Sequence, residues 1–378
     1  MADALDELLR GAAGNPRVIG LAGGLPCPTL FPRRELTAAF LRALQTRDVP
    51  ALQYAWPEGF PALRGHIAAR LARRGVRVEA DEIIVTSGAQ QAITIAAQLV
   101  ARRGATIGVD AETYPSALDA FRSLRLVPTT SSQARVLYRM PAVSNPAGST
   151  MGEEERRAAL AHARFIIEDD AYGDLRFRAG PPVPLLATSR SRVLYVGTFS
   201  KTLGPGLRVG FLIVPPRLHA RALRRKADDD LQTNSLSQAI VQEYLAHNDF
   251  DAFVRKLRRH YHRRADRLMT AVRRYLPAWS FKAPAGGFGL WVSADARVDE
   301  ATFLRRSIAA GVSFDPGSRF LTEGGARDQP TTLRLCFSAV PEDTIEEGAR
   351  RLARAWAAVR RRSARGTGGR RRRSTALR

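Results

Sequence analysis

Lysine is almost missing from this chain. Four of its 378 residues are lysine (Lys201, Lys226, Lys256 and Lys282), against 55 arginines. So lopsided a choice between two cations reads as a coding preference. It accounts for the net charge of +23 without a charged partner. Eight of the arginines crowd into residues 361–378, which hold no acid. A nucleic-acid partner is not expected from this charge. Cysteine is scarcer still. Cys27 and Cys336 are too few for a disulfide framework, and they lack the Cys/His spacing of a zinc site. No metal is expected, and reduced thiols suit a cytoplasmic protein. Long apolar runs are absent too. The longest, Ala92 to Ala101, is interrupted by Gln98 and falls far short of the ~20 residues of a membrane span. Met1 to Arg10 carries neither the basic region nor the apolar stretch of a secretory leader.

What is present is ordinary globular composition, 45% hydrophobic and 25% charged, at a length that suits two domains. Short β-branched runs recur between helix-length stretches. They are Ile83 to Thr86, Ala105 to Val109, Arg135 to Tyr138, Arg164 to Ile167, Val193 to Val196 and Val209 to Val214. This rhythm predicts an α/β fold with a mostly parallel sheet sandwiched by helices. Apolar residues at Phe250, Phe253, Val254, Leu257, Tyr261, Leu268, Val272 and Tyr275 predict one long helix. Its other face, with Arg255, Lys256, Arg258, Arg259, Arg263 and Arg264, is expected to be solvated. After Pro277 the pattern changes to isolated strands and two helices. The expected organisation is a large domain over 48–276 and a smaller α+β domain over 277–362, which residues 1–47 join. Residues 363–378 are expected to be a disordered Arg-rich tail.

Ligands of an open parallel sheet bind at the carboxyl ends of its strands. There the chain places Ser87-Gly88-Ala89-Gln90, then Asn145-Pro146, then Asp169 and Tyr172, then Thr198, Ser200, Lys201 and Arg208. Gly88, Ala89 and Gln90 open a helix, whose free N–H groups suit a phosphate. Thr198, Ser200 and Arg208 add hydroxyls and a guanidinium. Asp169 can pair with a protonated ring nitrogen, Asn145 and Tyr172 can hold a phenolic oxygen, and Lys201 can form an imine. Together these describe pyridoxal 5'-phosphate. Singly they are weak. Asn145-Pro146 alone reads as a turn, and Tyr172 or Tyr114 alone as a core tyrosine.

The whole set resembles the class I/II aminotransferases of fold type I. The nearest branch looks like the 2-aminoadipate and kynurenine aminotransferases and the aminotransferase-like domain of MocR regulators. The matching motifs are Leu21-Ala-Gly-Gly-Leu-Pro26, Leu52-Gln-Tyr54, Thr86-Ser-Gly-Ala-Gln-Gln91, Thr113-Tyr-Pro115, Asn145-Pro-Ala-Gly148, Glu168-Asp-Asp-Ala-Tyr172, Gly197-Thr-Phe-Ser-Lys-Thr-Leu-Gly-Pro-Gly-Leu-Arg208 and Leu333-Arg-Leu-Cys-Phe-Ser338. The resemblance implies that Lys201 carries the cofactor, with Asp169 and Tyr172 as its catalytic neighbours. It implies that Asp169 pairs with the ring nitrogen, that Asn145 and Tyr172 bind the ring oxygen, and that Tyr114 stacks on the ring. Ala89, Gln90, Thr198, Ser200 and Arg208 would hold the phosphate beside Gly88. Arg334 would clamp the substrate carboxylate, with Gly24 and Asn145 near it. Asp170 would be structural. Tyr54 would reach the phosphate of a second subunit, which implies a homodimer with shared sites.

The implied reaction moves an amino group between an L-amino acid and a 2-oxo acid. The alternative is another reaction of the same cofactor on the same fold, that of a β-lyase, racemase, decarboxylase or amino-acid cyclase. A regulator of the MocR type is disfavoured, because the resemblance begins near Val18. The stretch from Tyr114 to Asn145 is shorter than the pattern, as if a helix were trimmed, and Ala147 stands where threonine is common. With the arginine bias, this trimming fits a specialised, secondary-metabolite pathway, with a guanidino amino acid among the candidate substrates.

Overall fold

The computed structural model describes residues 2–45, 51–131, 133–178, 180, 182–322 and 330–371. Two compact units emerge. One comprises Pro28–His260 and Ala285–Gly287. The other comprises Met1–Cys27, Tyr261–Pro284 and Phe288–Arg378, in its described residues.

The first unit is built on a seven-stranded sheet. Its strands run in the order Ile83–Thr86, Gly210–Ile213, Val193–Thr198, Phe165–Asp169, Val136–Arg139, Thr106–Gly108, Val127–Thr129. Gly210–Ile213 is antiparallel to both neighbours, and the other pairs are parallel. Ile83–Thr86, Phe165–Asp169 and Gly210–Ile213 are buried at every position. That explains their continuous apolar runs: helices cover both faces, so alternation brings no gain. The six predicted strands form, with ends displaced by a residue or two. A seventh, Val127–Thr129, was not predicted. It is a three-residue edge strand containing Pro128, which cannot donate to a ladder and so hides the strand signal.

Residues 28–45 belong to this unit, not to the smaller domain that was expected to take residues 1–47. Ala39 and Ala43 of the helix Arg33–Gln45 enter the same core cluster as Val241 and Tyr244 of the helix Ser235–His247. Two small residues one turn apart let the helices approach closely, which periodicity alone did not reveal.

The second unit holds a five-stranded sheet in the order Ile19–Leu21, Val312–Pro316, Thr332–Cys336, Gly289–Ser293, Ser280–Phe281. Ile19–Leu21 is parallel to its neighbour, and the remaining pairs are antiparallel. The helices Glu300–Ala309 and Ile345–Arg371 pack here, with Trp356 and Phe303 rings 5.1 Å apart. Ile345–Arg371 runs into the 363–378 stretch that was expected to be disordered. Buried Leu352, Ala355, Trp356 and Val359 anchor this helix upstream of that stretch. Residues 372–378 lie outside the described residues.

The long helix forms as Phe250–Tyr275. Its arginine face is not wholly solvated. Arg264 is buried and donates to the Ser338 carbonyl, and Arg258 donates to the Asp174 carbonyl at 2.6 Å. No helix among the described residues is long and apolar enough to cross a membrane.

Candidate active site

Asp169 ends the strand Phe165–Asp169 with 2% of its surface exposed. One carboxylate oxygen accepts the Tyr138 hydroxyl at 2.6 Å, and the other accepts the Ala171 N–H at 3.0 Å. Burial pushes the carboxyl up to about 6, while the Tyr138 and Ala171 hydrogen bonds pull it back. Its two sequence neighbours do different work. Glu168 accepts the Leu185 and Leu186 N–H groups at 2.8 and 2.9 Å, and so caps the helix Leu185–Thr188. Asp170 binds Arg74 and the Tyr195 hydroxyl, on the structural side where it was expected. Strand alternation sends adjacent carboxylates to different surroundings.

Lys201 follows the strand Val193–Thr198, and its Nζ stands 5.3 Å from the centroid of the Tyr172 ring. Asn145 is buried, in a cis peptide with Pro146. Tyr114 heads the helix Pro115–Ser123 and is half-buried. The amide of Gln90 donates to the Ser116 carbonyl at 2.7 Å, which ties the Tyr114 loop to the helix Ala89–Val100. Its Oε1 is buried without a hydrogen bond among the described residues.

Gly88 precedes that helix with φ 82°. A Cβ here would lie 2.6 Å from Nη2 of Arg208, which itself donates to the Ser87 carbonyl at 2.9 Å. Thr198 and Ser200 hydroxyl oxygens are 3.0 Å apart. Gly210 lets its strand close on the helix start, since a Cβ there would lie 2.6 Å from the Gly88 carbonyl carbon. Gly88, Thr198, Ser200 and Arg208 thus supply a glycine-sized space, hydroxyls and a guanidinium. Tyr54 stands on the surface, 76% exposed.

In the second unit, Arg334 lies in the strand Thr332–Cys336. Its Nε and Nη2 reach one oxygen of Asp315 at 3.0 and 2.7 Å. The guanidinium carbon lies 4.7 Å from the Phe320 ring centroid. Gly24, at φ 58°, flanks the same guanidinium, where a Cβ would lie 3.0 Å from Nη2. The expected neighbours Gly24 and Arg334 therefore meet, as do Gly88 with Arg208, Thr198 with Ser200, and Lys201 with Tyr172. Tyr138 and Asp315 were not singled out from sequence. Tyr138 closes a strand that was predicted, and alternation could have marked it. Nothing local marks Asp315.

The family model of aminotransferase class I and II matches residues 31–135 and 132–352. The chain belongs to this family. The aminotransferase is 32% identical to aromatic-amino-acid aminotransferase 1 of Thermococcus litoralis, over 89% of this chain and 87% of that one. It is also 32% identical to the 2-aminoadipate transaminase of Thermus thermophilus, over 94% of each. Its fold superposes on a kynurenine aminotransferase of Pyrococcus horikoshii with a TM-score of 0.84, at 31% identity over 93% of each chain. The resemblance read from the motifs therefore holds. The fold is type I, and the enzyme depends on pyridoxal 5'-phosphate and acts on amino and oxo acids. The donor set around Gly88 and the buried Asp169 carboxylate fit the two ends of that cofactor, a phosphate and a protonated ring nitrogen.

Proposed function

We propose that Lys201 carries pyridoxal 5'-phosphate and that this aminotransferase works through the residues its motifs name. Gly88, Ala89, Gln90, Thr198, Ser200 and Arg208 would hold the phosphate, Asn145 and Tyr172 the ring oxygen, and Tyr114 the ring face. Asp169 would hold the proton on the ring nitrogen. With its carboxyl at about 6, Asp169 is ionised at neutral pH, and a cationic partner favours that state further. The bound cofactor supplies an electron-withdrawing ring for the substrate's α-carbon. The Lys201 amine takes the α-proton and later returns one. Arg334, with Gly24 against it, orients the substrate by its carboxylate.

The observation that carries this reading is Lys201 beside Tyr172, at the strand ends of the one sheet that also presents Asp169 and the Gly88 to Arg208 cradle. The test is Lys201→Ala. The variant is expected to lose the visible band of lysine-bound cofactor and to slow the half-reaction at least ~10³-fold. Turnover at the parent rate would sink the assignment. The amino donor is best sought among the substrates named for the relatives: aromatic amino acids, 2-aminoadipate and kynurenine. A guanidino amino acid completes the panel, and half-reaction rates rank the candidates.

The reading includes a homodimer. Leu52, Tyr54 and Trp56 are 82%, 76% and 77% exposed in the single chain, an apolar run that a second copy would cover. Sedimentation at micromolar concentration checks it, since a monomer would remove Tyr54 from the site. Two separate free thiols suit a cytoplasmic enzyme.

A further inference from the structure

Lys226 is a fully buried lysine in a chain that otherwise writes its cations as arginine. It stands in the helix Pro216–Asp230 with 0% of its side chain exposed, whereas Lys256 and Lys282 are exposed. Its ammonium binds Oδ1 of Asp230, one turn on. Burial lowers the Lys226 amine below its ordinary value, and the Asp230 hydrogen bond and charge oppose that shift. The other Asp230 oxygen accepts the Ser87 hydroxyl at 2.8 Å. Asp229 accepts the Gln91 amide at 2.8 Å, and Gln91 Oε1 accepts the Ser87 N–H at 2.8 Å. The Ser87 carbonyl accepts Nη2 of Arg208 at 2.9 Å. Ser87 is thus held at its N–H, its hydroxyl and its carbonyl, one residue before Gly88. The helix stops at Asp230, because Leu231 leaves the helical region at φ 60°, a strained conformation for a residue with a side chain.

Two helices are tied together at both ends by these charges. Asp229 and Asp230 meet the start of Ala89–Val100, and Arg221 of the same helix donates to the Leu99 carbonyl near its end, at 2.9 Å. Acids at the start and a cation at the end complement the macrodipole of Ala89–Val100. The arrangement also sets a carboxylate beside the helix start whose N–H groups suit a phosphate. A bare carboxylate there would repel the phosphate. One neutralised by an ammonium still accepts the Ser87 hydroxyl and repels little. We propose that Lys226 and Asp230 are a positioning pair for the cofactor phosphate. Asp230 holds Ser87, and through its carbonyl Arg208, while Lys226 cancels the charge of Asp230 at an anion site. This rests on the reading of Gly88, Thr198, Ser200 and Arg208 as the phosphate cradle.

The test measures binding to the cofactor-free full chain by equilibrium dialysis, with two probes, pyridoxal 5'-phosphate and pyridoxal. Lys226→Met is expected to raise the Kd of pyridoxal 5'-phosphate roughly tenfold and to leave that of pyridoxal within about twofold, because pyridoxal has no phosphate to repel. Adding Asp230→Asn to Lys226→Met removes the uncompensated charge and keeps an acceptor for Ser87. The double variant is therefore expected to return to within about threefold of the parent. Equal weakening of both probes would overturn the proposal, since it would mean a general structural role. A double variant as weak as Lys226→Met alone would overturn it too, since Lys226 would not then be masking Asp230. Arg208→Gln separates this inference from the reading beneath it. If that variant binds pyridoxal 5'-phosphate as the parent does, the cradle reading falls and this inference with it. If Arg208→Gln weakens binding and Lys226→Met does not, this inference falls alone. If Lys226→Met does not fold, Lys226→Gln is read in the same way.

Discussion

Tyr138→Phe is the most informative single change in the larger unit. It removes one oxygen and nothing else. The ring is 2% exposed and sits edge-on to Phe121, with centroids 5.4 Å apart, so phenylalanine fills the same space. What disappears is the 2.6 Å hydrogen bond to Asp169. A hydrogen bond to a buried charge is worth about 1.5–3 kcal/mol, and one to a neutral carboxyl about 1 kcal/mol. The difference raises the Asp169 carboxyl above its present value of about 6 by roughly one unit. The sign follows from linkage. Asp169 already stands above the 3.8 of an unfolded aspartate, so its contribution to stability is present below that value and is lost as pH rises through 6. Tyr138→Phe extends that loss. Urea unfolding of the cofactor-free protein should show a deficit of about 1.5–3 kcal/mol at pH 8, shrinking to about 1 kcal/mol at pH 5. On the proposed role of Asp169, cofactor binding at pH 8 should weaken in parallel, because a less ionised carboxyl would pair less well with a protonated ring nitrogen. A deficit independent of pH would refute the coupling and reduce Tyr138 to a packing residue.

Two further changes test other parts of the site. Gly88→Ala places a methyl group 2.6 Å from Arg208 Nη2 at a φ of 82°, so cofactor affinity should fall roughly tenfold or more, measured by equilibrium dialysis. Arg74→Met strands the buried Asp170, whose side chain is 3% exposed, and should cost about 3–5 kcal/mol in urea unfolding while leaving KM in place. An effect of Arg74→Met on KM alone would contradict the structural role of Asp170.

The site was legible in proportion to how local its parts are. Asp169 ends a β-branched run, and Gly88, Asn145 and Lys201 lie in the loops that follow one; the carboxyl end of such a run is where a parallel sheet presents its ligands. Their order along the chain needed no tertiary knowledge. The long helix was legible too, yet its arginines were not. Arg264 follows the charged period but is buried on the Ser338 carbonyl, which only packing could show. The edge strand Val127–Thr129 was hidden by Pro128, and the helical continuation to Arg371 by a glycine- and arginine-rich composition.

The sequence alone determined the family, the cofactor and the carboxyl-end array, because these depend on residue type, spacing and chain direction. The scarcity of lysine made Lys201 conspicuous before any family came into view. Only the tertiary structure decided how the two key charges are held. Tyr138 meets Asp169 across 31 residues, and Asp315 meets Arg334 across 19. Both contacts follow from which strands lie side by side and in what register. Which strands become neighbours is decided by the packing of the whole sheet, so no local run of residues names these partners.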